Sequence, residues 1–325
     1  MSGVARLLRL WDRPTPLVVL AVCAVLVLVP LSGNAEWITF CITMMNLIVL
    51  TYSLNMVVGL TGYLSFGHVV FWGLGAYTAG AVVMASGGPI AYNPYWVVPL
   101  GGVVSMLFAV AVGYPTMRLR GAYFAIATVS INIAVQTLFF NLEGLGGAEG
   151  LPLNRALLRL TDRVTSAYYV LLALLLAAFW THYGILRGKT GYGLRAILND
   201  EDVAETMGVN ATGYKVAIFA VAAFYAGVAG AAWGIFQNFV DPDNFRLGIS
   251  VDLFVIMMLG GVGTALGPLV GGVIYYVIRD LLILRFPYLH LVIFGAVIVI
   301  IVLAFPGGLI GTIRQSRRTL RAVLE

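Results

Sequence analysis

Long uninterrupted apolar runs alternate with short polar segments along this chain, and the pattern predicts membrane-spanning helices. A bilayer is crossed by roughly 20 residues of helix, so the runs predict about ten spans, although eight would also fit. A β-barrel would instead show strands of roughly 10 residues with alternating apolar and polar positions. We therefore expect an all-α polytopic membrane protein. The predicted spans are 16–32, 37–59, 63–86, 95–115, 121–141, 167–186, 214–238, 249–265, 267–284 and 289–305.

Two of these regions are less regular than the others. The span at 63–86 and the glycine-rich stretch 259–272 could each be broken or partly re-entrant. The first run follows Arg6, Arg9 and Arg13 and resembles a signal peptide. Because many further spans follow, we interpret it as an uncleaved first helix.

Composition excludes a soluble or disordered chain. Apolar residues make up 61% of the 325 positions, charged residues only 10%, and the mean hydropathy is +0.96. A soluble domain carries about 25% charged residues, and a disordered chain is poor in apolar residues. The formal net charge of +5 could suggest nucleic acid, but in a membrane protein it more simply reflects basic cytoplasmic loops.

The basic residues predict the orientation of the chain. If the spans alternate, one side receives the segments 1–16, 115–122, 187–215 and 306–325. These hold thirteen of the nineteen Lys and Arg residues, so we expect both termini to be cytoplasmic. We treat 1–325 as a single membrane domain with a cytoplasmic N-tail (1–16), a coupling loop (187–213) and a cytoplasmic C-tail (306–325). No segment outside the membrane is long enough to house an enzyme or an ATPase.

Several glycine patterns imitate nucleotide sites. Gly184–Thr190 has three residues between its glycines where a phosphate-binding loop needs four, and Gly261–Gly267 lies in membrane-spanning sequence without a βαβ unit. A better interpretation is close helix packing through small residues, with a gating hinge as the alternative. The glycines concerned are Gly230, Gly234, Gly263, Gly267 and Gly271.

The polar segment 199–208 predicts a short cytoplasmic helix. Asn199 or Asp200 can cap its start, acidic residues fill its first turn, and Gly208 suits its end. Val203, Ala204 and Met207 are expected on one apolar face. That face could lie on the membrane surface or dock a cytoplasmic partner.

The same segment resembles the coupling motif of ABC importer permeases, Glu-Ala-Ala, three residues, Gly, nine residues, Ile. Asp202-Val203-Ala204 stands at its start, Gly208 keeps the first gap and Ile218 the second. The chain departs from the motif in Asp for Glu, Val for Ala, and Ala220-Val221 in place of Leu-Pro.

From about residue 40 to 311 the chain is similar to the LivH/LivM-type permeases of branched-chain amino acid ABC importers, and most like the LivM type. The motifs that carry this resemblance are Gly59–His68, Gly73–Tyr77, Leu119–Thr128, Tyr214–Phe219, Asp241–Phe245, Gly260–Pro268 and Phe305–Gly311.

The resemblance implies a non-catalytic transport subunit in a bacterial inner membrane. Its implied partners are a LivH-like second permease, two cytoplasmic ATPases and a periplasmic substrate-binding protein. ATP and Mg²⁺ would be used by the ATPases, and we expect no cofactor or metal on this chain. The residues expected to couple it to the ATPases are Asp202, Val203, Ala204, Glu205, Met207 and Gly208.

Polar residues inside the spans are candidates for a translocation pathway, because they are costly in a membrane. An equally good interpretation is hydrogen bonding between helices; this applies also to the stripe Thr39, Thr43, Asn46 and Ser53. The pathway candidates are Tyr63, Ser65, Phe66, His68, Thr128, Asn132, Gln136 and Asp252. We expect Cys23 and Cys41 to be buried, His182 and His290 to be interfacial, and Arg279 and Asp280 to pair with other helices.

The substrate stays open at this stage. Relatives of the family are associated with branched-chain amino acids, urea, amides and aromatic acids. A stand-alone secondary transporter would need a driving-ion site, for which Asp252, Arg279 and Asp280 are the candidates. A membrane enzyme is disfavoured because no nucleophile and base are recognisable.

Overall fold

The computed structural model describes residues 26–85, 94–153 and 160–286, and within 287–311 the positions 289, 292–293, 295–296, 299 and 308–311. The predicted spans 16–32 and 289–305, both predicted tails, Cys23 and His290 lie wholly or mostly outside the described residues. The α-helices are α1 (Ala35–Thr61), α2 (Val69–Ala85), α3 (Val98–Thr116), α4 (Ala122–Asn141), α5 (Leu160–Arg187), α6 (Lys189–Asn199), α7 (Glu201–Thr206), α8 (Ala211–Gln237), α9 (Leu247–Gly260) and α10 (Gly267–Arg285).

Short elements complete this architecture. Short 3-10 helices occur at Val29–Ser32, Pro94–Val97, Glu143–Leu145, Gly147–Glu149 and Pro242–Phe245. Strands β1 (Leu151–Pro152) and β2 (Phe239–Val240) form one antiparallel pair, with Leu151 opposite Val240. We call the end of the helix bundle that carries α6 and α7 the α7 end, and the opposite end, with β1 and β2, the β end.

The all-α, multi-span architecture is confirmed. Within the described residues, five helices are long and apolar enough to cross a membrane, namely α1, Pro94–Thr116, α4, Arg163–Arg187 and α8, while α2 and α9 are shorter apolar helices. The most apolar windows of α1 and α8 are 89% and 78% buried, against 22% for α4. Helices α1 and α8 therefore form the centre of the bundle, and α4 lies at its edge.

Small residues on α8 bring neighbouring backbones close to it. A Cβ at Gly230 would overlap the carbonyl of Trp72 on α2, and one at Gly227 would overlap the side chain of Ser105 on α3. Gly234 faces Ala76 and Val240 in the same way. This is the close helix contact that small residues permit in membranes.

The third predicted span, 63–86, is broken at its start, one of the two outcomes considered for it. Gly62 ends α1 in a left-handed conformation (φ +76°), its N–H donating to the Val58 carbonyl, and the chain stays non-helical until α2 begins at Val69. His68, at the end of this stretch, is fully buried and bonded to Ser53 of α1 at 2.6 Å. The broken stretch, residues 62–68, therefore runs back into the bundle.

A second break separates α9 from α10. The Tyr52 hydroxyl donates to the Ala265 carbonyl (2.8 Å), and Asn55 accepts from the Gly263 N–H (2.8 Å) while donating to the Thr264 carbonyl (3.2 Å). Polar side chains of α1 thus replace the hydrogen bonds that the broken helix lacks.

This break corrects the expectation that Gly263, Gly267 and Gly271 lie on one helix face. Gly263 is in the turn with φ +69°, and Gly267 is the first residue of α10. Gly271 does permit a close helix contact, since a Cβ there would overlap the Ile256 carbonyl of α9. Glycines four residues apart in the sequence look the same whether the helix continues through them or breaks at a glycine with a positive φ.

Candidate functional site

The predicted short helix is present as α7, Glu201–Thr206. The Asp200 side chain caps it by accepting from the Val203 N–H at 3.1 Å, and Gly208 follows with φ +86°. Acidic residues Glu201 and Asp202 occupy its first turn, where the helix dipole favours negative charge. The local sequence therefore determines where this helix starts and ends.

The faces of α7 differ from the expectation in one respect. Ala204 is 3% exposed and packs against Ile197 and Ala211, whereas Val203 is 57% and Met207 81% exposed. Val203 and Met207 are four residues apart and share a helix side, but Ala204 is turned about 100° away from Val203 and faces α6 and α8. We call Val203 and Met207 the exposed apolar pair. The buried position of Ala204 corrects the prediction that it belongs to the same face.

A buried lysine fastens α7 to the membrane helices. Lys215, near the start of α8, is 1% exposed, and its Nζ donates to Glu201 Oε1 of α7 (2.7 Å), the Tyr63 hydroxyl (3.0 Å) and the Met117 carbonyl (2.8 Å). The Tyr63 hydroxyl donates in turn to Glu201 Oε2 at 2.5 Å. We call these four residues the Lys215 junction. All three ammonium protons are therefore used.

The Lys215 junction joins elements that are distant in the sequence. Tyr63 lies in the broken stretch before α2, and Met117 follows the last residue of α3. Because a buried charge with short, complete hydrogen bonds resists separation, the junction holds α7, the broken stretch, the end of α3 and the start of α8 together.

Sequence reasoning missed this junction. The sequence places Lys215 among the cytoplasmic charges and in the Tyr214–Phe219 motif, and Glu201 in the first turn of α7. The available signal was a lysine inside the apolar run that opens the α8 span.

Hydrogen bonds and nearby positive charges keep the two carboxyl groups in the first turn of α7 ionised. Burial raises the pKa of Glu201, but the hydrogen bonds from Lys215 and Tyr63 outweigh it and leave the pKa below its ordinary value. The hydrogen bond from Arg120 also lowers the pKa of Asp202, with the two groups 2.8 Å apart. Both members of that second pair are exposed, so its contribution is weak.

The structure distributes the pathway candidates over several places. Tyr63 belongs to the Lys215 junction, and Phe66 packs against Phe254 of α9. Asn132 donates to the Phe245 carbonyl (2.8 Å) and Gln136 to the Pro242 carbonyl (3.3 Å). The latter two side chains thus hold the 3-10 helix Pro242–Phe245 against α4.

Ser65, His68 and Thr128 lie deeper in the bundle. Ser53 has one hydroxyl proton and donates it to the Ala222 carbonyl, so His68 Nε2 donates to Ser53. Ser65 is fully buried, and its hydroxyl has no described partner. Thr128 bonds within α4, to the Ala125 carbonyl.

Asp252 lies apart, on α9, with its carboxylate 3.8 Å from Arg279 of α10. Arg279 therefore pairs with a neighbouring helix, as expected. His182 contradicts its expected interfacial position, because it is fully buried on α5 and contacts Asn55. Cys41 is buried, as expected. Among the described residues, no group of three His, Cys, Asp or Glu side chains could hold a metal ion.

The match to known proteins decides what this helix bundle is. Residues 37–302 match the family described as branched-chain amino acid transport system, permease component. The chain belongs to this permease family. The match begins within α1 and reaches past α10, so it includes α7, both breaks and the Lys215 junction.

The curated relatives of this permease include proteins named LivM and proteins named LivH. It is 29% identical to the high-affinity branched-chain amino acid transport system permease protein LivM of Salmonella typhimurium over 83% of this chain and 68% of the relative. The LivM of Escherichia coli K12 is 27% identical over the same shares. The LivH of Salmonella typhimurium is 24% identical over 79% of this chain and 88% of the relative. No solved structure matches.

Proposed function

We propose that this permease is the LivM-like membrane subunit of an ATP-driven importer of branched-chain amino acids. It would act in a bacterial inner membrane beside a LivH-like second permease, two ATPases and a periplasmic binding protein. The names of the LivM and LivH relatives support the substrate class and the pairing of two permeases.

The observation that carries the proposal is the construction of α7. It presents Val203 and Met207 to solvent. Large exposed apolar side chains at a loop tip favour a contact with another protein. Its opposite side is fastened by the Lys215 junction to the membrane helices. A contact made on the outer side of α7 therefore moves elements inside the bundle.

We infer that the ATPases bind α7 and that their ATP-driven closure switches the pathway between its two sides. Such a step is a rigid-body motion, with no bond chemistry on the substrate. On this reading the chain itself binds no nucleotide, and ATP and Mg²⁺ act in the partner subunits.

Reconstitution tests the proposal. The tagged chain is co-purified with its partners, placed in proteoliposomes and supplied with radiolabelled L-leucine and the binding protein. We expect uptake only with ATP inside and with both ATPases present. Uptake by the permeases alone, driven by an ion gradient, would refute the proposal. Replacing L-leucine by urea, an amide or an aromatic acid then tests the substrate class.

A further inference from the structure

The broken stretch brings non-helical backbone deep into the bundle. His68 is held by Ser53, which lies about 12 Å along α1 from Thr61 at a rise of about 1.5 Å per residue. Helix α2 therefore begins in the interior rather than at the membrane surface. Non-helical backbone at such depth is tolerated where it is buried in protein or lines a water-filled cavity.

Several donors on this stretch have no acceptor among the described residues. The N–H groups of Ser65, Gly67 and His68 make no hydrogen bond to another described residue. The Ser65 hydroxyl is likewise unpartnered, and the residue is fully buried. Buried polar groups without partners are costly, so their persistence here indicates a ligand or water that completes them.

A cleft lies beside this stretch, between it and helices α3, α4 and α8. Ser65 and Gly67 line one side of it, and the hydroxyl-bearing Thr116 and Thr128 lie nearby. Gly67 packs so closely that a Cβ would overlap the Thr128 carbonyl. The remaining wall is apolar and includes Phe71, Phe108, Ile131 and Phe219. We call this space the Ser65 cleft.

The chemistry of the cleft matches an apolar α-amino acid. Backbone N–H groups beside a helix start favour a carboxylate, and transporters with broken helices place anionic groups there. Threonine oxygens can accept from an ammonium group. The aromatic and aliphatic wall suits a hydrocarbon side chain.

We propose that the Ser65 cleft is a transient binding site for the amino acid during translocation, with the carboxylate on Ser65 and the adjacent backbone donors. The proposal rests on the transport function proposed above. The cleft is narrow in this structure, with room for about one water molecule. Entry of the substrate therefore requires α4 to move outward, and α4 is the least buried of the long apolar helices.

Thiol labelling during transport tests the site. The complete complex carries Ser65→Cys in a Cys23→Ala/Cys41→Ala background, and a charged, water-soluble thiol reagent is added during ATP-driven uptake. Ser105→Cys is the matched control, because Ser105 is equally buried but packed against α8. We expect the thiol of Ser65→Cys to react at least about tenfold faster than the thiol of Ser105→Cys, since thiol reactivity follows access to solvent. Saturating L-leucine should slow the reaction at position 65 relative to trace L-leucine.

Ser65→Ala provides the second measurement. With loaded binding protein in excess, we expect uptake about tenfold slower, the loss expected for one hydrogen bond to a charged group. Thermal stability should be unchanged, because the hydroxyl has no described protein partner. Ser65→Thr should retain uptake.

The outcomes separate this site from the transport function. Two results would overturn the Ser65 cleft as the binding site and leave the transport function standing. In one, uptake depends on ATP but the thiol of Ser65→Cys is unreactive. In the other, uptake depends on ATP and Ser65→Ala transports at the wild-type rate. A Ser65→Ala chain that unfolds would also overturn it, by showing a structural role. Uptake that needs no ATPase would instead refute the proposed function.

Discussion

Lys215 is the residue on which the cytoplasmic architecture depends most. Its ammonium group is buried and fully hydrogen-bonded, so its removal leaves Glu201 Oε1 and the Met117 carbonyl without their donor. Breaking a buried pair from one side costs about 3 kcal/mol or more. We expect Lys215→Met to lower the free energy of unfolding by that amount in detergent.

The double variant Lys215→Met/Glu201→Gln is the control. It removes the unpaired charge as well, so its loss should be smaller than the sum of the two single losses. Strictly additive losses would show that the two side chains do not interact.

The pH dependence of the same pair follows from the lowered pKa of Glu201. A carboxyl group whose folded pKa lies below its unfolded value stabilises the fold above the unfolded pKa, about 4.3, and loses this effect as pH falls through the folded pKa. The stability difference between wild type and Glu201→Gln should therefore be constant from about pH 5.5 to 7.5 and shrink only at lower pH. A midpoint near pH 6.5 would contradict the lowered pKa.

At the scale of elements, a substitution on the exposed side of α7 should impair ATPase docking without affecting the stability of the fold. We expect Met207→Asp to reduce ATPase co-purification and uptake, while the free energy of unfolding changes by under about 0.5 kcal/mol, because the side chain is exposed. Leu142→Asp, an exposed apolar-to-acid change at the β end, is the matched control and should leave co-purification unchanged. Equal losses in both variants would contradict a docking role for α7.

Ala204→Arg should behave in the opposite way. Ala204 is buried against Ile197 and Ala211, so an arginine there forces a charge into a packed contact. We expect loss of folded protein in size-exclusion chromatography rather than a pure loss of coupling. A stable Ala204→Arg chain that fails only in ATPase binding would contradict the buried position.

The sequence predicted elements better than it predicted their contacts. The span 121–141 agrees with α4 (Ala122–Asn141) and 214–238 with α8 to within three residues, because hydropathy and length determine them. The start and end of α7 follow from Asp200 and Gly208, which are local signals. The Lys215 junction could not be predicted, since Tyr63 and Lys215 are 152 positions apart and meet only through packing.

The same limit applies to the candidate site. Asn132 and Gln136 of α4 were predicted as pathway candidates or hydrogen-bonding residues, yet their partners, backbone carbonyls 106 or more positions further along the chain, could not be predicted. Ala204 faces inward because it packs against Ile197 of α6. The hydropathy of the α7 residues alone carries no information about that contact. The regions 63–86 and 259–272 were predicted as candidates for a broken or partly re-entrant segment, but the exact breaks before α2 and after α9 could not be placed, because their hydrogen-bond partners lie on α1.

For the whole molecule, the orientation is the main prediction. Basic residues Arg118, Arg120, Arg187 and Lys189 gather at the α7 end, so we expect that end in the cytoplasm. An impermeant thiol reagent should label Val203→Cys only in inside-out vesicles and Leu142→Cys only in right-side-out vesicles, in the background without native cysteines. Labelling of both positions from one side would contradict the predicted topology.

The most direct test of the central claim is contact between α7 and the ATPases. A photo-crosslinking amino acid is placed at position 207 in the complete complex, with position 142 as the control. We expect a cross-link from position 207 to an ATPase subunit and none from position 142. Cross-links from position 207 to lipid alone, in a complex that still transports with ATP, would contradict it.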